Sequence, residues 1–196
     1  MRQKVKSNGG KSNKESGIGL KVLDIGCGSK SWAHKVWPGA EVVKLDVNGT
    51  IEDLDIVCDA RRMPEELYGK FDGALASHVL EHIIHYETMA TLMEWRKVLK
   101  PGGELHVVVP SFEWAARQLI EEEKPSRAVQ LHLHGAQRGP WDIHFTSFSS
   151  RMLCSIVTYA GFEVKSINTG PFTIEINGEK FESEQHRVVA VKSDEE

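Results

Sequence analysis

Apolar residues along the 196-residue chain follow two rhythms. Lys21 to Ile25, Glu41 to Val47, Leu54 to Cys58, Phe71 to Ser77 and Glu104 to Val109 are short, nearly continuous apolar runs. Such runs read as buried strands, and they suit a parallel sheet covered on both faces. Between and after them, apolar residues recur at helical spacing. Leu92, Trp95 and Leu99 form one stripe, stopped by Lys100-Pro101-Gly102-Gly103. Phe112, Ala115, Ala116, Leu119 and Ile120 form a second. Met152, Leu153, Ile156, Val157 and Ala160 form a third, with Ser149 as its N-cap and Gly161 just past its end.

The tail changes rhythm. Phe162 to Asn168, Phe172 to Ile176 and Lys180 to Val191 read as β, and Asn177-Gly178 is a hairpin turn signal. Repeated β-α-β order closed by a β-rich tail predicts a doubly wound α/β sheet with an antiparallel edge. Residues 121–148 match neither rhythm and carry Pro125, His132, His134, Gly135, Gly139, Pro140, Trp141 and His144. A long polar connection leaving the C-terminal end of the fifth strand reads as a substrate loop. Residues 1–19 are basic and rich in Gly, Ser and Asn, which predicts a flexible N-terminal arm ahead of a single domain over 20–196.

Composition narrows the function classes. With 40% hydrophobic and 27% charged residues, the chain has the balance of an ordinary globular domain. Its net charge of -4 argues against a protein that grips nucleic-acid phosphates. Cys27, Cys58 and Cys154 are odd in number and form no CxxC, as expected of reduced thiols in the cytoplasm. No apolar run reaches the roughly 20 residues that span a bilayer, so no membrane partner is expected. No pattern specifies an oligomer.

The chemistry concentrates at Val22-Leu23-Asp24-Ile25-Gly26-Cys27-Gly28-Ser29, a strand running into a Gly-x-Gly turn. Glycines there let backbone N–H groups approach a ligand closely. Asp46 ends the second strand about 20 residues later, the spacing at which a carboxylate accepts both ribose hydroxyls. A dinucleotide fingerprint wants a third glycine where Ser31 stands, and no Gly-Lys-Ser/Thr phosphate cradle is present. An acid at Asp24 repels pyrophosphate but suits a ligand carrying an ammonium group and a sulfonium. S-adenosylmethionine is such a ligand.

These residues, with four further segments, resemble the class I S-adenosylmethionine-dependent methyltransferases over nearly all of residues 20–192. Lys44-Leu45-Asp46 resembles their ribose-binding acid, with Val47 beside it, and Cys58-Asp59-Ala60 their adenine-contacting segment. Phe71-Asp72-Gly73-Ala74 with Ser77-His78-Val79-Leu80-Glu81-His82 resembles the motif whose strand end faces the methyl group. Leu99-Lys100-Pro101-Gly102-Gly103-Glu104-Leu105 resembles the strand motif that follows a helix. The resemblance implies a Rossmann-like, mostly parallel seven-stranded sheet with an antiparallel C-terminal strand. It implies S-adenosylmethionine as cofactor, held by Asp24, Gly26, Cys27, Gly28, Asp46, Val47, Asp59, Ala60 and Ser77, and S-adenosylhomocysteine as product. Lys30 stands where the first motif often carries another glycine.

A narrower likeness is to a small branch of methyltransferases, some of which accompany sugar pathways. It rests on the Ser-His-Val-Leu-Glu-His run, Val109-Pro110, residues 135–140 and His144-Phe145-Thr146. The expected acceptor is therefore a small molecule or sugar-related metabolite. His78 and His144 are the expected catalytic bases, since a near-neutral imidazole can take an acceptor's proton. His78 and His82 are four apart with Glu81 adjacent, and relatives with a Glu-x-x-Glu-His pattern bind a divalent cation there. Because the first position here is His78, a metal is not favoured, and His82 is expected to pack structurally. A cofactor-binding module without catalysis and an RNA methyltransferase are the competing readings.

Overall fold

The apolar runs pair edge to edge in the computed structural model, which describes residues 17–121, 126–176 and 178–193. Strands β1 (Lys21–Ile25), β2 (Glu41–Asp46), β3 (Ile56–Val57), β4 (Phe71–Ser77), β5 (Leu99–Pro110), β6 (Phe162–Ile176) and β7 (Glu179–Lys192) form one seven-stranded sheet. Their order is β3-β2-β1-β4-β5-β7-β6. The first five strands run parallel, and β7 is antiparallel to both its neighbours. The expected antiparallel strand is present, but it stands one place inside the sheet, and β6 takes the edge. The two strands expected over 162–176 are one. Thr169-Gly170-Pro171 does not interrupt β6, because an edge strand can turn a residue lacking N–H towards solvent. Of the expected turn, Asn177 lies outside the described residues and Gly178 takes a φ of 81°.

Strand alternation sorts the side chains into two layers. Leu23, Ile25, Ala74, Ala76, Leu105 and Val107 face helices α2 (Thr88–Val98) and α5 (Ser150–Tyr159), meeting Leu92, Trp95, Leu153 and Val157 in the main core. Val22, Leu75 and Val108 face the other way, against Trp37 and the one-turn helix α1 (Ala33–Val36). Ser149 caps α5 as expected, its hydroxyl accepting from the Met152 N–H. In α3 (Phe112–Glu121) the buried residues are Trp114 and Ala115, while Phe112, Leu119 and Ile120 of the expected stripe are exposed.

That difference has a cause in the next segment. The connection over 121–148 is not irregular throughout. Arg127–His134 forms helix α4, capped by Ser126, whose hydroxyl accepts from the Val129 N–H. Ala128 and Val129 pack on Trp114 and Ala115, so α3 buries the side that faces α4. His132 looked polar in the sequence yet is buried between α4, β7 and the end of β5. Its Nε2–H donates to the Ser111 carbonyl at 2.8 Å and its Nδ1 accepts from Ser183 Oγ at 2.6 Å. Burial pushes its pKa down to about 4, so the ring that docks α4 is neutral. Pro125 lies outside the described residues, as do residues 1–16 of the expected arm. Gly17 is already part of the fold, donating its N–H to the Pro38 carbonyl.

Glu113 ties α3 to α5. Its carboxylate accepts from the Ser150 N–H at 2.8 Å, from Ser150 Oγ at 2.7 Å and from His186 Nε2 at 2.8 Å. Burial works against the charge, but the Ser150 and His186 bonds outweigh it and hold the pKa at about 2 against an ordinary 4.5. A carboxylate depressed in the folded state stabilises above its ordinary pKa and loses that contribution as pH falls through the folded value. Unfolding free energy from urea titrations should therefore decline between pH 4.5 and 2. Glu113→Gln should flatten that part of the curve.

Candidate active site

Parallel register gathers the strand ends. Ile25 stands beside Leu45 on one side and Ala76 on the other. The residues that follow, Gly26, Asp46 and Ser77, therefore leave the sheet side by side at its C-terminal edge. A cleft of about 610 Å³ opens there. Of the residues expected to hold the cofactor, Gly26, Gly28, Asp46, Val47, Asp59 and Ala60 line it, whereas Asp24, Cys27 and Ser77 are not among its lining residues.

The glycines are required for different reasons. Gly26 has a φ of 63°, and a Cβ on it would lie 2.5 Å from Val79 Cγ2. Gly28 has a φ of 57°, and a Cβ there would meet nothing within 4 Å, so its backbone borders open space. Asp46 closes the turn from below. Its Oδ2 accepts from the Gly28 N–H and its Oδ1 from the Asn48 N–H, each at 2.9 Å. Each oxygen keeps lone-pair capacity for a further donor.

Asp24 is 2% exposed and serves the turn itself. Its carboxylate, the group expected to meet a ligand's ammonium, accepts through Oδ2 from Ser31 Oγ at 2.5 Å and the Trp32 N–H at 3.1 Å. Burial, followed by the charges of Asp24 and Asp46, pushes the Cys27 thiol up to about 11, so it stays protonated and acts as a small filler. Asp59 is held by Arg61, whose guanidinium also reaches Glu87 at 2.9 Å. The Trp95 indole donates to the Ala60 carbonyl at 2.9 Å, pinning this wall to the core.

Beyond the end of β4, His78 takes a φ of 57°. Its Nδ1 meets Glu81 Oε1 at 3.1 Å and its Nε2 meets Gln185 Oε1 at 2.9 Å, while its ring stacks on Phe172 with centroids 4.5 Å apart. The Glu81 carboxylate only accepts, so Nδ1 carries a proton. Burial opposes a charged ring, but the Glu81 hydrogen bond and charge prevail and raise the pKa. In this arrangement both ring nitrogens of the expected proton acceptor are engaged. His144 differs. Its Nδ1–H donates to the His132 carbonyl at 2.9 Å, and burial lowers its pKa. His78 and His144 both line a neighbouring cavity of about 210 Å³, walled also by Leu131, Phe172 and Ile174.

Ile51 and Arg61, which escaped the sequence reading, line the cleft together with Trp141 and Phe145 of the expected substrate loop, and Trp141 and Phe145 remain 58% and 52% exposed. Large apolar side chains facing solvent in a concave site are surface that a ligand can cover. Trp141 carried a signal as an aromatic in a polar connection. Phe172 and Gln185 carried none, since only the hairpin of β6 and β7 brings them to His78.

Comparison with known proteins agrees with this geometry. Residues 1–167 match the family described as "Methyltransferase domain". The human mitochondrial ubiquinone biosynthesis O-methyltransferase is 33% identical over 107 residues, 46% of this chain and 28% of that protein. The chain spans less than half the length of the first curated relatives it matches. An S-adenosylmethionine-dependent methyltransferase structure from Methanosarcina mazei superposes with a TM-score of 0.66 at 19% identity, covering 90% of this chain and 93% of that one. The Burkholderia thailandensis 1,6-didemethyltoxoflavin-N1-methyltransferase, solved with its named substrate and S-adenosylhomocysteine, gives 0.60 at 17% identity, covering 91% and 73%.

The two glycines offer a measurable contrast. Gly28→Ala meets only left-handed strain, about 1–2 kcal/mol. Gly26→Ala adds a clash with a branched side chain, raising the cost to about 2–4 kcal/mol. Urea midpoints of the two variants should rank in that order.

Proposed function

The chain belongs to the class I S-adenosylmethionine-dependent methyltransferase family, and on that premise we propose that it passes a methyl group to a small-molecule acceptor. The observation that carries this reading is Asp46 beneath the Gly28 turn, lining the 610 Å³ cleft. In it, Asp46 accepts the ribose hydroxyls, Gly28 lets the backbone come close, and Asp59 and Ala60 border the adenine. When bound, S-adenosylmethionine supplies a methyl on a sulfonium, which is already a good leaving group. What remains for the chain is alignment and exclusion of water.

The acceptor stands in the 210 Å³ cavity, which shares His78 with the cofactor cleft. Leu131, Phe172 and Ile174 give that cavity apolar walls, favouring a compact aromatic or sugar ring over a polymer backbone. His78 and Glu81 form a pair without net charge, so the site keeps a fixed wall beside the methyl without repelling the sulfonium. His144, neutral and with Nε2 open, receives a hydroxyl acceptor's hydrogen. The net charge of -4 supports a small molecule over nucleic acid.

Calorimetric titration with S-adenosylhomocysteine should show one site per chain. Asp46→Ala removes charge-assisted hydrogen bonds and should weaken binding about ten- to a hundredfold. Unchanged affinity in a folded variant would remove the cofactor assignment. With a panel of phenols and sugars, wild type should release S-adenosylhomocysteine. His78→Ala and His144→Ala should each lower turnover well below wild type while cofactor affinity stays within about twofold. A chain that binds the cofactor but turns over no acceptor would instead be the non-catalytic module.

A further inference from the structure

Behind His78 lies a buried charge that the methyl-transfer reading leaves half used. Glu81 is 1% exposed, and only its Oε1 is engaged by His78. Its Oε2 is buried with no hydrogen-bond partner. A buried carboxylate oxygen without a donor is costly, so a native fold normally supplies it with a proton donor or a cation. Two imidazoles stand beside it. One donor atom each of Glu81, His82 and His144 lie within 4.8 Å of one another.

The tautomers of both rings follow from their partners. His82 Nδ1 meets the Ile143 carbonyl at 2.9 Å, and His144 Nδ1 meets the His132 carbonyl at 2.9 Å. A carbonyl only accepts, so each Nδ1 carries the ring proton and each Nε2 presents a lone pair. Each of the three side chains thus has an electron pair to offer, and none needs to place a hydrogen in the cluster. Backbone carbonyls that hold Nδ1–H are also how a ligating histidine is oriented. We propose that Glu81 Oε2, His82 Nε2 and His144 Nε2 form a binding site for a divalent transition-metal ion of the zinc type.

The donor set selects the ion. Two imidazoles and one carboxylate suit zinc or cobalt, whereas magnesium and calcium prefer oxygen throughout. Three protein ligands leave a fourth position open. Around a tetrahedral ion with bonds near 2.1 Å, donors stand about 3.4 Å apart, so small side-chain rotations close the cluster. His78, which the sequence spacing had made the first candidate ligand, is turned away to Gln185, and His144 takes its place from the connection before α5. His82 lines the 610 Å³ cleft and His144 the 210 Å³ cavity, so the ion sits in the wall between them. With an ion bound, His144 would serve as ligand instead of proton acceptor, and the open position would supply Lewis-acid polarisation of an acceptor oxygen. The site itself is independent of the cofactor and acceptor assignments.

The test uses the full chain, freed of metal by a chelator, with neither cofactor nor acceptor present. Titration with Co²⁺ should saturate at one ion per chain with a visible ligand-field absorption, and Zn²⁺ should displace it. Mg²⁺ at the same concentration should leave the spectrum unchanged. His144→Ala and Glu81→Gln should weaken Co²⁺ binding at least tenfold, while His34→Ala, at an exposed position, should not. On the wild-type chain, imidazole NMR signals of His82 and His144 should shift with Zn²⁺ while those of His106 and His186 stay in place. This arm needs no variant to fold. No saturable Co²⁺ spectrum, displacement by Mg²⁺, or shifts confined to other histidines would overturn the site. Because no cofactor is present, failure here leaves S-adenosylhomocysteine binding by calorimetry untouched, and the reverse.

Discussion

The parallel register of β1 with β2 and β4 is the constraint from which the site follows. Ile25 is level with Leu45 and with Ala76, so three chain segments must leave the sheet at one rim. Hydrogen bonding beyond the strands keeps them together: the Cys27 N–H donates to the Leu45 carbonyl, the Cys58 N–H to the Asp46 carbonyl and the His78 N–H to the Val108 carbonyl. A slip of one residue in any of these ladders would move its side chains to the opposite layer of the core, away from the residues they pack on. Core burial therefore also fixes the spacing between the glycine turn, Asp46 and His78.

Electrostatics divides the rim into two unlike halves. Around the glycine turn, three acids are satisfied by short-range donors: Asp24 by Ser31 and Trp32, Asp46 by backbone N–H groups, Asp59 by Arg61. Around the end of β4, titratable groups face one another. Glu81 is compensated on one oxygen by His78 and has no hydrogen-bond partner on the other. Low local dielectric magnifies both the attraction and the shortfall.

Legibility in the sequence followed the range of the interactions. Strand runs, the Ser149 cap and the Gly26/Gly28 turn depend on near neighbours, and their patterns were readable. Asp46 was readable because its distance from the turn is set by one β-α-β passage. Helix α4 was not, since His132 and His134 masked its apolar face and His132 is buried only by bonding to Ser111 and Ser183. Gln185 and Phe172 were unreadable for a similar reason: they reach His78 across more than 90 residues of chain, through a hairpin whose turn signal sets its own register but not its place beside β5. His78 was readable at the end of its strand but its partner Gln185 was not. Asp24 was readable by its place before the turn, but its bonds to Ser31 and Trp32 were not.

Strand β7 sits between β5 and β6, and this has a consequence for the order in which the molecule matures. On the ribosome the chain emerges from its N-terminus, so the glycine turn, Asp46 and Asp59 are available before the hairpin exists. Strand β6 emerges before β7 but has no neighbour in the sheet until β7 arrives to separate it from β5. The last strand to be made therefore completes the sheet, and with it Gln185 reaches His78 and Ser183 reaches His132. Pairings this distant in sequence form slowly. The glycine-turn half of the rim is thus in place while the His78 half is still open, and a chain cut short within β7 would keep the first without acquiring the second.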